Sequence, residues 1–561
     1  MISHRTGAAC ALILCAASLA PSYSIEGPVM SSASQAEPAP VVNTSDGRLE
    51  GRLVDSLNVF KGIPYAAPPV GTLRWKAPAP MVSWSGIRKA TEFGPACFQP
   101  RPKLSNIYEG KPVPMSEDCL TLNVWAPKDA RNAPVFFWIY GGALWGGTNR
   151  DPLYDGERLA KQGIVVVSIN YRLGPLGWLA LPALSAESPD GISGNYGLLD
   201  QIAALRWVKE NIGAFGGDPA NVTIAGESAG GLSVMYLMAS PQARGLFAKA
   251  IAQSAYMISM PTLKQNKHGM PSAEESGTKL AAALHAPDLA ALRSMDAGTL
   301  TQTAAADGFA PWIVVDGHLV PHQLVGIFDK GEQAHVPLLA GFNSGEIRSL
   351  RVLAPPPPAS AAQYEEAIRH GYGNLADEFL HLYPSANMEE SILATTRDAL
   401  YGWTAEELVR KQTAINQPAY LYFFDHGYPA ADSAGLHGFH ASELPFVFGN
   451  FDGTPPLWPK VPETRQQRQL SDAMIDYWTS FARTGKPVAK GEPDWPAFGT
   501  DKAYMAFTDA PHPSHHLFPG MYNLVNEVVC RRQASGDQAW NWNVGIIAPP
   551  LPPPSPACAS R

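Results

Sequence analysis

Residues 221–239 read NVTIAGESAGGLSVMYLMA. The first five residues have the β-branched, alternating character of a strand, and the run from Ser228 to Ala239 has the small and apolar residues of a packed helix. Between them stands Gly226-Glu227-Ser228-Ala229-Gly230, a Gly-x-Ser-x-Gly elbow in the strand-to-helix context that the motif requires. Two glycines permit a turn tight enough to lift the serine above a sheet. The helix N-terminus sets amides and a positive dipole beside the hydroxyl. The alternative, a plain structural turn, lacks a reason for the serine to stand between those two glycines.

On both sides of the elbow strand-like and helix-like runs alternate. VFFWIY (135–140), LYDGERLAKQG (153–163), IVVVSINY (164–171) and YGLLDQIAALRWVKENI (196–212) precede it. PLLAGF (337–342) and AYLYFFDH (419–426) follow as further strands. Such alternation predicts an α/β fold with a mainly parallel central sheet covered by helices. Two Ala-rich helical stretches near 272–306 and 361–415 read as inserted helical segments over the rim of the sheet. A last helix, SDAMIDYWTSFARTG (471–485), carries Met474, Tyr477, Trp478 and Phe481 at helical spacing, the pattern of a packed face.

A serine hydroxyl needs a histidine base, and the base needs a carboxylate to orient it. In folds built around this elbow both come from loops after later strands, in the order serine, acid, histidine. Glu346 lies in GFNSGE after the first later strand, where a solvated loop carboxylate is the plain alternative. After the second, His440 competes with His426 and His437, and spacing alone does not choose among them. Gly141 and Gly142 leave the strand VFFWI, where a glycine turn is able to aim N–H groups at a developing oxyanion, or is simply a strand exit.

The 561 residues carry a net charge of -8 with no basic stripe, which speaks against nucleic acid or an anionic membrane surface as partner. Apolar residues make up 45 %, enough for a large core. The N-terminus has Arg5 before an apolar run from Gly7 to Ala20, too short to span a bilayer and typical of a signal peptide. The organisation read from sequence is therefore a signal peptide over 1–24, a small-residue tether over 25–40, one catalytic domain over 41–530, and a Pro-rich tail over 531–561. An exported protein, periplasmic or secreted, follows, with no stable membrane insertion. Removal of the signal leaves Cys97, Cys119, Cys530 and Cys558 in an oxidising compartment. Three pairings are formally open, and proximity favours Cys97 with Cys119, then Cys530 with Cys558.

From about Val41 to Cys530 the chain resembles the type-B carboxylesterase family, in its bacterial, para-nitrobenzyl-esterase-like branch. FKGIPYAAPPVGTLRWKAP, SEDCLTLNVWAP, FFWIYGGALWGG, VVSINYRLGPLGW, the stretch from Gly194 to Gly231, PWIVVDGHLVP, GFNSGE and FHASELPFVFGN carry that resemblance. It implies the α/β-hydrolase fold and a carboxylic-ester hydrolase working through an acyl-serine, with Ser228, Glu346 and His440 as its triad. It also implies an oxyanion hole from the amides of Gly142, Ala143 and Ala229, and no metal or organic cofactor. Glu227 and Glu443 resemble acidic residues that sit near the base in the family. Arg74 with Glu117 and Arg172 with Asp200 resemble its internal ion pairs. The segment from Cys97 to Cys119 holds no tryptophan, unlike the cholinesterase branch, where one grips a quaternary ammonium; acetylcholine is therefore not the expected substrate, and a small-molecule carboxylic ester, neutral or mildly cationic, with broad specificity, is expected instead. Two other readings share this sequence pattern. A catalytically silent binding protein would need a broken triad, and an acyltransferase or amidase would use the same one. The sequence does not fix the oligomeric state.

Overall fold

The computed structural model describes residues 37–101 and 106–558, so the signal segment and all but the end of the tether lie outside the described residues. Strands Ala133–Ile139 and Val165–Ile169 are buried along their whole length. A strand covered on both faces needs a continuous apolar run, which VFFWI and VVVSI supply. Eleven strands form the main sheet. Its parallel part runs from Ala503–Phe507 through Ala419–Phe424, Leu338–Asn343, Lys249–Gln253, Gly217–Glu227 and Ala133–Ile139 to Val165–Ile169. Antiparallel strands close each side, Pro511–His515 at one edge and Thr121–Pro127 with Leu57–Pro64 and Arg52–Val54 at the other. The mainly parallel sheet expected from the alternation is thus present, and its antiparallel borders come from segments with weaker patterns.

One feature of the strand order positions the site. The chain passes from Ala133–Ile139 outward to Val165–Ile169, then crosses back to lay Gly217–Glu227 on the opposite side of Ala133–Ile139. In open α/β sheets such a switch point leaves a crevice outside the carboxyl ends of the strands, where ligands bind. Ile139 pairs with Gly226 there, so the Gly141–Gly142 exit and the Ser228 elbow leave the sheet side by side.

The stretch 272–306 forms helices Ala273–Ala283, Leu289–Ser294 and Ala297–Ala306, each started by an Asp or Ser side chain that accepts from a first-turn N–H. The stretch 361–415 forms several helices, including a π-turn over Asp398–Gly402. LYDGERLAKQG differs from expectation: only Glu157–Ala160 is α-helical, after a 3-10 turn over Pro152–Tyr154. The Gly156 backbone lies against Val166, where a Cβ would stand 2.7 Å from its Cγ1, and Gly163 turns with φ +83°, which confines the helix to one turn. The closing helix is longer than SDAMIDYWTSFARTG, spanning Arg465–Thr484 from a Thr464 cap that accepts from Gln467 N–H to Gly485 in the left-handed region. Trp478 and Phe481 on it are fully buried.

Helix Met521–Ser535 runs through residue 530, the expected domain end, and the chain beyond folds back. Arg532 donates to the carbonyl of Trp542, Trp540 is buried against the ring of His268, and Leu551 N–H donates to Gly371. Cys530 is bonded to Cys558, and Cys97 to Cys119. Among the described residues no helix is long and apolar enough to cross a membrane.

Candidate active site

Ser228 caps the helix Ala229–Ala239 with φ 56° and ψ -121°, a conformation that L-residues rarely adopt. Packing enforces it. A Cβ on Gly226 would lie 2.5 Å from the Gly230 carbonyl group, and one on Gly230 would lie 2.1 Å from the carbonyl oxygen of Ile139. Both glycines are therefore fixed by close approach of the neighbouring strand, and the serine between them projects from the sheet half-buried.

The Gly141 backbone rests against the elbow, its missing Cβ replaced by contact with Glu227 O and Ser228 Cβ. Gly142 and Ala143 follow with φ 102° and 54° and stand exposed. Their N–H groups donate to nothing among the described residues, while the Gly142 carbonyl is taken by the N–H groups of Trp145 and Gly146. Ala229 is the first residue of its helix, so its N–H has no acceptor within the helix. Three amides are thus left available around the serine.

Glu346 and His440 leave the carboxyl ends of strands Leu338–Asn343 and Ala419–Phe424, which pair in parallel. Their loops are stitched together: Gly345 N–H donates to Gly438 O at 2.7 Å, and Asn343 Nδ2 donates to Phe439 O at 2.8 Å. His440 Nδ1 is hydrogen-bonded to Glu346 Oε2. The other oxygen, Glu346 Oε1, accepts from Ser254 Oγ and from Asn343 N–H, so this fully buried carboxylate is held from three sides.

Two further carboxylates face the imidazole. Glu227 Oε1 lies 3.1 Å from His440 Nε2. Glu443 accepts from Gln253 Nε2 at 2.9 Å and Asn343 Nδ2 at 2.6 Å. Burial raises the Glu227 carboxyl to about 8 against the pull of His440, and burial raises that of Glu443 to about 7. For His440, burial acts downward, but the charges of Glu227 and Glu346 outweigh it and lift the imidazole to about 9. The rival histidines are turned elsewhere. His437, half-exposed, bridges Asp425 and Asp432, and His426 contacts Gln467 and Asp509.

Ser254 and Tyr401, which sequence reasoning passed over, belong to this cluster, as does Tyr108 of the loop between Cys97 and Cys119. Ser254 directly follows the strand Lys249–Gln253, with no local signal beyond its place at the carboxyl edge. Tyr108 sends its hydroxyl to the backbone of His440, and Tyr401, set on the π-turn, places its ring 5.4 Å from the imidazole. Phe446, six residues beyond His440, is fully buried against Phe424 and His426, a core position. Trp145 packs partly buried on Phe309, and Trp312 lies partly buried against the main core. Away from the site, Arg74 grips Glu117 through Nε at 2.7 Å and its terminal nitrogen at 2.5 Å. Arg172 does the same to Asp200 at 2.8 and 2.7 Å.

A sequence model of the Carboxylesterase family matches residues 38–524. The chain is 35 % identical over 491 residues to the fumonisin B1 esterase of Sphingopyxis macrogoltabida, covering 84 % of this chain and 87 % of that one. It is 37 % identical over 470 residues to the para-nitrobenzyl esterase of Bacillus subtilis, covering 82 % and 92 %. Among solved structures, a PNB esterase superposes with a TM-score of 0.76 at 34 % identity, over 87 % of this chain and 99 % of the other.

Proposed function

Because the chain belongs to the carboxylesterase family and is a carboxylic ester hydrolase, we propose that Ser228 is its nucleophile, His440 its base and Glu346 the carboxylate that orients the base. The observation that carries this reading is the imidazole of His440, anchored at Nδ1 by the buried Glu346 and lying beside the strained Ser228 elbow. A Nδ1–H given to Glu346 leaves Nε2 with its lone pair, the form a general base needs. Ser228 Oγ attacks the ester carbonyl while Nε2 takes its proton, and the imidazolium is stabilised by Glu346. The amides of Gly142, Ala143 and Ala229 receive the oxyanion. His440 then returns the proton to the departing alcohol. Water, activated by the same imidazole, releases the acid from the acyl-serine.

The relatives named for fumonisin B1 and for para-nitrobenzyl esters differ widely in substrate, which supports broad specificity for small carboxylic esters here. Export through the N-terminal segment is part of the same reading, supported by the two disulfides, which persist in oxidising compartments. The test is covalent: diethyl 4-nitrophenyl phosphate should inactivate the enzyme with one equivalent of label on Ser228, and Ser228→Ala should neither label nor turn over. Labelling at another residue with loss of activity would overturn the assignment.

A further inference from the structure

His440 sits at the tip of a tight turn. Ser442 N–H donates back to Phe439 O at 3.0 Å, and Ala441 takes a left-handed φ of 65°. The turn leaves the carbonyl of His440 without a backbone donor among the described residues, and the donor it receives is the hydroxyl of Tyr108, at 3.1 Å. The same hydroxyl lies 2.6 Å from Ser349 Oγ. Ser349 closes the one-turn helix that Glu346 opens. The single Tyr108 proton has two acceptors, Ser349 Oγ and His440 O; a carbonyl only accepts, so both contacts are satisfied together when Tyr108 donates to His440 O and Ser349 turns its proton from Glu346 O, 3.5 Å away, to the Tyr108 oxygen. The Tyr108 ring stands edge-on to the imidazole, centroids 6.3 Å apart, and edge-on to Trp458 at 5.7 Å. Tyr108 itself belongs to the segment that the Cys97–Cys119 disulfide closes.

We propose that Tyr108 is a positioning residue for ester hydrolysis: its hydroxyl ties the backbone of His440 to the helix of Glu346 from a third, disulfide-closed segment, and so fixes the imidazole relative to Ser228. The proposal rests on the triad reading above. A base held at one nitrogen by a carboxylate still pivots about that bond, and pinning its own carbonyl removes the pivot. Displacement of a catalytic group by a fraction of an ångström falls on the chemical step and leaves ground-state binding alone.

The test compares Tyr108→Phe, Ser349→Ala and the double variant with the parent on one activated ester. Tyr108→Phe keeps the ring and loses the hydroxyl. It should lower kcat about tenfold, the weight of one hydrogen bond on a buried acceptor, with KM unmoved. Ser349→Ala should lower kcat only a few-fold, because the Tyr108 bond to His440 survives, and the double variant should be no worse than Tyr108→Phe. In proton NMR the downfield resonance of the His440 Nδ1–H should broaden or move in Tyr108→Phe while the melting temperature stays near the parent's. Tyr108→Phe with kcat within twofold of the parent and an unchanged downfield resonance would overturn the proposal, as would Ser349→Ala proving the more damaging change. Should Tyr108→Phe fail to fold, Ser349→Ala decides alone, and parental kcat with an unshifted resonance there counts against the proposal. Turnover surviving in Ser228→Ala would instead remove the triad itself, so the two failures are told apart.

Discussion

Replacing Glu227 by Gln should move the acid limb of the kcat/KM profile to lower pH. As the proposed base, His440 is active when neutral, and the Glu227 carboxylate, 3.1 Å from its Nε2, favours the imidazolium. Two unit charges at that separation and an effective dielectric near 20 interact by about 5 kcal/mol. That is a ceiling, because the Glu227 carboxyl, raised to about 8, and His440, at about 9, titrate in overlapping ranges, so the pair is only partly charged across the limb. Taking half or less of the ceiling gives about 2 kcal/mol, equivalent to about 1.5 units at 1.36 kcal/mol per unit. The limb set by His440, at about 9 in the parent, should therefore fall by roughly one to two units in the variant. Its kcat is not the informative quantity, since the substitution sits beside Ser228; the position of the limb is. A pH-stat assay with a methyl ester between pH 5 and 10 reads it without the titration of a chromophore. An acid limb that stays in place, or moves to higher pH, would refute the electrostatic coupling.

Asp200→Asn should strand the buried Arg172 and cost about 3 to 5 kcal/mol in urea unfolding while KM is retained, and a loss below 1 kcal/mol would show the pair to be dispensable. Removing the Cys97–Cys119 disulfide with two serines should cost about 3 kcal/mol for a separation of 22 residues, checked by the shift in urea midpoint. Glu443 has its folded pKa raised to about 7, so it ionises in the unfolded chain first and the fold loses stability as pH rises from the ordinary carboxylate range through 7. Relative to Glu443→Gln, the parent should lose about 3 kcal/mol between pH 4 and 8, and parallel stability curves would contradict this. Ala143→Leu should lower kcat more than it raises KM, since a large side chain at φ 54° would pull the amide from the oxyanion, and slow turnover of a tert-butyl ester should be lost with it.

What was legible in the sequence was what neighbouring residues decide among themselves. The strand, elbow and helix at Ser228 were readable because Gly226 and Gly230 answer to a backbone contact that any such turn must make. The parallel sheet was readable because Ala133–Ile139, Val165–Ile169, Leu338–Asn343 and Ala419–Phe424 are buried on both faces and so are largely apolar, whereas Lys249–Gln253, polar at both ends, was not read as a strand. The choice of base was not local. His426, His437 and His440 all follow the strand Ala419–Phe424, and only tertiary contacts send His437 to Asp425 and Asp432, His426 to Gln467, and His440 to Glu346. Motif resemblance chose among them where spacing did not. Tyr108 meets His440 across 332 residues of sequence, and no pattern near either residue announces the contact. The chain after 530 looked like a solvated Pro-rich tail because its composition is that of one. Trp540 and the Cys530–Cys558 bond fasten it, and the depth of burial of one tryptophan is set by the surface it meets.

The central claim is that Ser228 carries the acyl group. Rapid-quench mass spectrometry of the intact chain with 4-nitrophenyl pivalate, whose bulky acyl group slows deacylation, tests it directly. The account expects one pivaloyl group per chain, mapped to Ser228 and formed at the rate of the 4-nitrophenol burst, and neither adduct nor burst in Ser228→Ala. A burst whose label maps to another residue, or an Ser228→Ala chain that turns over ester at the parental rate, would contradict it.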